Sequence, residues 1–176
     1  MVGYALQQTI RSGAICAMEH VLHARIGAKE VEHMTIEQSK EIVRRFIEEV
    51  FVQSRADAVD ELVDPQFRPH SWPGVGPGPE PLKQAQDRIR AGLSDPSMTI
   101  EDMIAEGDRV AVRLTSRATH TGEFQGMPAS GKSYEISEVH IFRLRDGRVI
   151  EHWREGDMLG MLQQLGAMPE PMRKAS

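Results

Sequence analysis

The chain has 176 residues, 40% of them hydrophobic, a single cysteine and a formal net charge of -5. That length closes one hydrophobic core more readily than two, and an acidic chain without a run of Lys or Arg is poorly suited to nucleic acid or an anionic membrane, both of which need a basic patch. With Cys16 alone, an intrachain disulfide and a cysteine-rich zinc site are excluded, and a reducing, cytoplasmic setting is expected.

Residues 1–33 carry no clear start signal and read as an N-terminal extension, ahead of one domain over 34–168 and a tail over 169–176. The run "RSGAICAMEHVLHA" is interrupted by Glu19 and His20, so it reads neither as a signal peptide nor as a span of the ~20 apolar residues that cross a bilayer. His20 and His23 have helical i,i+3 spacing, but no third ligand accompanies them and no metal is expected there.

Thr35-Ile36-Glu37-Gln38 is a capping box, after which Ile36, Ile42, Val43, Phe46, Ile47, Val50 and Phe51 form one apolar stripe of a helix. Ser54 is placed to cap a second short helix carrying Val59, Leu62 and Val63, which must stop near Asp64-Pro65. "RPHSWPGVGPGPEP" holds too many Pro and Gly for a regular element and predicts a loop, followed by a helix over Leu82–Leu93.

From Met98 onward the apolar period becomes alternating, with Val110, Val112 and Leu114 on one face of a strand. Glu106-Gly107-Asp108 and Asp146-Gly147 are hairpin turns, so adjacent strands are antiparallel. Met158, Met161, Leu162 and Leu165 predict a short last helix ended by Gly166. Helices first and a curved antiparallel sheet afterwards make an α+β fold.

"GMPASGKS", residues 126–133, matches the phosphate-cradling pattern G-x-x-x-x-G-K-[ST]. Such a loop must open a helix, whose N-terminus holds the phosphates. Here the chain continues as the alternating "SYEISEVHIFRLR", and Pro128 removes an N–H donor from the loop. Gly126–Lys132 is therefore expected to be a turn between strands.

That turn belongs to a longer likeness. "HTGEFQGMPASGK", with "AEGDRVAVRLTSRAT" before it and "HIFRLRDGRVIEHWREGDMLGMLQQLG" after it, resembles the SnoaL-like polyketide cyclases, or ester cyclases, of the nuclear transport factor 2-like superfamily, over roughly residues 34–166. The resemblance implies a cone-shaped curved sheet wrapped around about three helices, enclosing a deep pocket. It also implies a cofactor-free intramolecular aldol cyclisation of an anthraquinone-type polyketide methyl ester, with one aspartate as acid/base catalyst. The family's aspartate closes an "E-H-W-x-x-x-D" segment, which assigns that role to Asp157. The partner so implied is a small apolar or aromatic substrate. A homodimer or higher homo-oligomer is also expected, the Met/Leu stripe of the last helix and the outer sheet face offering surfaces for it.

A two-residue loop at Asp146-Gly147 pairs Leu144 with Val149, Phe142 with Glu151 and His140 with Trp153. On that register Glu138, His140, Phe142, Glu151 and Trp153 share the pocket face, Asp157 joins them if no bulge intervenes, and Arg113, Arg117, Arg143 and Arg154 point outward. The resemblance leaves other readings open: a keto-steroid-like isomerisation, epoxide hydrolysis, or a domain of the same fold that only binds a ligand or dimerises. Outward arginines count against epoxide hydrolysis, which needs an Asp-Arg-Asp set. His120 is expected on the inner side of its strand, with His70 and Trp72 at the rim, and His140 is a candidate to stabilise an enolate oxygen. Each of these side chains also has a plain structural reading: His70, His120 and His140 as hydrogen-bonded buried histidines, Phe142 and Trp153 as core, and Asp157 as a helix N-cap.

Overall fold

The computed structural model describes residues 34–168 apart from Pro73. Cys16, the His20/His23 pair, the 1–33 extension and the 169–176 tail lie outside the described residues. The first helix, α1 (Ile36–Arg45), starts at the capping box: Gln38 N–H donates to Thr35 Oγ1 at 3.2 Å and Thr35 N–H to Gln38 Oε1 at 2.7 Å. Without a break it widens into a π-helical segment, Phe46–Val52, whose winding turns Phe46, Ile47, Val50 and Phe51 inward together. π-helical turns of this kind cluster near functional sites.

The next helix, α2 (Ala56–Leu62), has Arg55 rather than Ser54 at its cap position. Ser54 itself takes a left-handed φ of 52° in the turn before the helix. Strand β1 (Val63–Pro69) follows at once, where the sequence suggested only a stop and a loop. It pairs in parallel with the last strand, and as an edge strand it tolerates Pro65, which has no N–H to give. Helix α3 (Pro79–Gly92) opens on a proline in its first turn, starting three residues ahead of the expected Leu82.

Four strands complete the sheet: β2 (Leu93–Glu106), β3 (Arg109–His120), β4 (Ser133–Arg145) and β5 (Arg148–Gly156). Their order is β1-β5-β4-β3-β2, antiparallel except at the β1–β5 edge, so the sheet is mixed and open. The hairpin at Asp146-Gly147 has φ of 49° and 77°, the two positive values that a two-residue turn of right-handed twist requires. Gly126–Lys132 connects β3 to β4 and leads into a strand, so no helix terminus is available there for phosphate. Helix α4 (Met158–Gln164) closes the described chain, with Gly166 left-handed just beyond it. Among the described residues no helix is long and apolar enough to cross a membrane.

Two apolar clusters hold the sheet face. The larger joins Phe46, Val50, Phe67 and Leu82 to Val112, Leu114 and Phe142; the smaller joins Leu93, Ala118, Tyr134 and Ile136 to Met161 and Leu165. Between them the packing is incomplete and leaves a cavity of about 760 Å³, a volume suited to one small organic ligand.

Candidate active site

The wall of the cavity is decided by one extra residue in β5. From the hairpin, Arg145 pairs with Arg148 and Leu144 with Val149, as the turn requires, but Arg143 then pairs with Glu151. Ile150 is the bulged residue, and beyond it every side chain changes face. His140 is therefore opposite Arg154 and Phe142 opposite His152. Two consecutive apolar residues, Val149 and Ile150, are both buried, which strict alternation forbids and the bulge permits.

The inversion brings four polar side chains into one chain of hydrogen bonds. Arg154 donates from Nε to Glu138 Oε2 at 3.0 Å and from Nη2 to Glu138 Oε1. His140 Nε2 lies 2.8 Å from the same Glu138 Oε2, and His140 Nδ1 lies 3.0 Å from His152 Nε2. Glu138 and His140 are each 1% exposed, whereas the Arg154 side chain is 26% exposed. Glu138, His140 and Arg154 all line the cavity.

Burial alone would raise the Glu138 pKa, but the hydrogen bonds from His140 and Arg154 outweigh it and hold the carboxyl down at about 2. Burial lowers the pKa of His140 against the opposing pull of Glu138. His152, packed between the rings of Phe51, Trp72 and Phe142, is pushed well below the ordinary histidine value, first by burial and then by its neighbour His140. Proton positions follow from the network. An ionised Glu138 only accepts, so His140 carries its hydrogen on Nε2, and its Nδ1 lone pair accepts from His152 Nε2–H.

These depressed values have a signed consequence. A group whose pKa is lower in the folded state stabilises above its unfolded value and loses that contribution as pH falls. Stability should therefore fall first below pH ~6.5, where the two histidines charge in the unfolded chain, and again from about 4.3 toward 2 as Glu138 protonates. Denaturant titrations at a series of pH values from ~8 down to ~2 check this, and a rise in stability on acidification would contradict it.

Of the residues singled out from the sequence, Glu138, His140 and Trp72 line the cavity. Phe142 is wholly buried in the core beside Phe46 and the two imidazoles. His120 is buried on the inner face, with Nδ1 3.1 Å from Ser130 Oγ, but is not part of the cavity wall.

Glu151 and Trp153 are on the outer face, contrary to expectation, because the bulge reverses the strand. His70 joins them there, stacked on Trp153 with ring centroids 4.5 Å apart and 3.4 Å from Glu151, and is not at the cavity rim. Asp157 does not project into the cavity either. It is exposed and caps α4, its Oδ1 accepting from Gly160 N–H at 2.8 Å. A Cβ on Gly160 would stand 2.7 Å from Asp157 Cγ, so the glycine gives the capping carboxylate its room.

Two wall residues, Arg154 and Gln86, and His152, buried beside His140, escaped sequence reading. His152 and Arg154 were assigned outward for want of the bulge, whose signal was the Val149-Ile150 pair. With Arg154 inside, the outward-arginine objection to epoxide opening lapses. What remains against it is that the wall carboxylates among the described residues are Glu138, engaged by Arg154, and the exposed Glu123. Gln86 is a polar residue on the α3 stripe formed by Leu82, Ile89 and Leu93.

The sequence model of SnoaL-like polyketide cyclases matches residues 41–165. The chain is 32% identical over 119 residues to the nogalonic acid methyl ester cyclase of Streptomyces nogalater, covering 66% of this chain and 89% of that protein. It is 28% identical over 130 residues to the aklanonic acid methyl ester cyclase DnrD of Streptomyces peucetius, with 72% and 89% covered. Among solved structures, TsrD from Streptomyces laurentii superposes with a TM-score of 0.70 at 29% identity, over 76% of this chain and 98% of that one.

Proposed function

Since the chain belongs to the SnoaL-like polyketide cyclase family, we propose that it closes a carbon ring within a polyketide-type ester by acid–base chemistry in the cavity described above. The observation that carries this reading is the placement of the hydrogen-bonded Glu138, His140 and Arg154 on the wall of a hollow that also presents Phe51, Trp72, Ile89 and Met98. A flat ring system lies against Phe51, Trp72, Ile89 and Met98, and its polar edge meets these three groups.

Basicity selects the proton acceptor. Glu138, with a pKa of about 2, is too weak a base for a C–H flanked by carbonyls, and Arg154 has no lone pair. His140 is neutral and basic. Its Nδ1 lone pair is occupied only by a hydrogen bond from neutral His152, worth about 1 kcal/mol net. General-base assistance of about 10²–10⁴-fold exceeds that cost.

In the step proposed, His140 takes the proton and the resulting imidazolium is balanced by Glu138. Arg154, with Nε and Nη2 engaged by Glu138, offers Nη1 to the enolate oxygen. The enolate carbon adds to a carbonyl within the same molecule, a C–C bond forms, and the new alkoxide recovers the proton from His140. Product and substrate are isomers, and no cofactor enters the balance.

Asp157 holds the acid/base role by resemblance, and its replacement tests that role. Asp157→Ala should lower stability by about 0.5–2 kcal/mol through loss of the cap while turnover persists. Loss of turnover with an intact fold would return the role to Asp157. A second reading, ligand binding without turnover, is favoured by one observation: Asp157, the carboxylate that the resemblance makes catalytic, is exposed and occupied as a helix cap. Formation of an isomeric product by the purified chain decides between the two.

A further inference from the structure

Gln86 is 3% exposed, and both polar atoms of its amide, Oε1 and Nε2, are buried without a hydrogen-bond partner among the described residues. It lines the cavity from α3, one turn from Ile89 and two from Leu93, which line the same wall. A buried amide that satisfies neither its donor nor its acceptor costs stability, and such groups normally find partners. A methionine of similar shape would fill this position without that cost.

We propose that Gln86 is a specificity-determining residue whose partner is the substrate itself: a group presenting one hydrogen-bond acceptor and one donor on a single edge, such as a carboxamide. The inference rests on the ring-closing site above and extends it to the substrate's second anchor. Arg154 receives the oxygen of the reacting end, and Gln86, on a different element of the wall, receives a donor–acceptor edge elsewhere on the same molecule. Each unmade bond in a ligand lacking that edge leaves a desolvated amide atom unpaired, so analogues are rejected by their missing groups.

The experiment uses two unreactive flat probes of nearly equal shape: 2-naphthamide, which carries the donor–acceptor edge, and 2-acetylnaphthalene, which carries the acceptor alone. Binding of both to the purified chain is measured by titration calorimetry, for the wild type and for Gln86→Met. The wild type should prefer the amide by roughly 10-fold or more, the variant should bind the two within about twofold, and its unliganded Tm should equal or exceed that of the wild type.

Equal affinity of the two probes for the wild type, failure of both to bind included, overturns the proposal. So does a preference retained in Gln86→Met, or a lowered Tm in that variant, which would mark Gln86 as a structural hydrogen-bonding residue. Because neither probe reacts, these outcomes are independent of whether the chain turns over an ester.

Discussion

Arg154→Met should lower stability by about 3 kcal/mol, because it leaves the Glu138 carboxylate buried at 1% exposure without its cation. The figure sits at the low end for breaking a buried pair because the guanidinium is itself a quarter exposed. In a chain of this size the midpoint of thermal unfolding should drop by on the order of 10 °C. The double variant Glu138→Gln/Arg154→Met removes both charges and keeps an oxygen for His140 Nε2–H, so it should recover most of the loss. Thermal denaturation of the two variants beside the wild type checks this. A single variant as stable as the wild type would mean that Glu138 is not held as an ion.

His140→Gln should reduce kcat by about 10²–10⁴-fold, the range of general acid–base assistance, with KM changed only severalfold. Glutamine keeps a donor for Glu138 and an acceptor for His152, so the wall should remain assembled while the basic lone pair is lost. Circular dichroism separates this outcome from unfolding. Burial lowers the His140 pKa, so the acid limb of the wild-type rate profile should fall below pH ~6.5. An acid limb above that value, or a variant with wild-type kcat, would remove His140 from the chemistry.

Local rules carried much of the fold. The Thr35 capping box, the Asp146-Gly147 turn and the alternation of β3 and β4 are all set by nearest neighbours, and each stands as read from the chain. Glu138 and His140 were legible as pocket residues because they precede the bulge on a strand of regular period. The inward placement of His152 and Arg154 was not legible, since one unpaired residue, Ile150, reverses the faces of everything after it and a turn-anchored register has no means of counting it.

Strand β1 was missed for a different reason. It holds a proline, it is short, and its partner β5 lies some eighty residues away, so its pairing comes from tertiary packing rather than from its own sequence. Asp157 carried two readings in the sequence, family catalyst and helix N-cap. Its segment resembles the family's, and its position one residue before α4 makes it the cap that the structure shows.

The proposed chemistry moves a proton and forms a carbon–carbon bond without gain or loss of atoms, which makes it directly observable. Purified chain incubated with a polyketide-type ester that it binds, with no added cofactor, should convert it to a product of identical mass and different chromatographic retention. Return of the ester unchanged, under conditions where the same preparation binds it, would contradict ring closure and leave the cavity as a binding site.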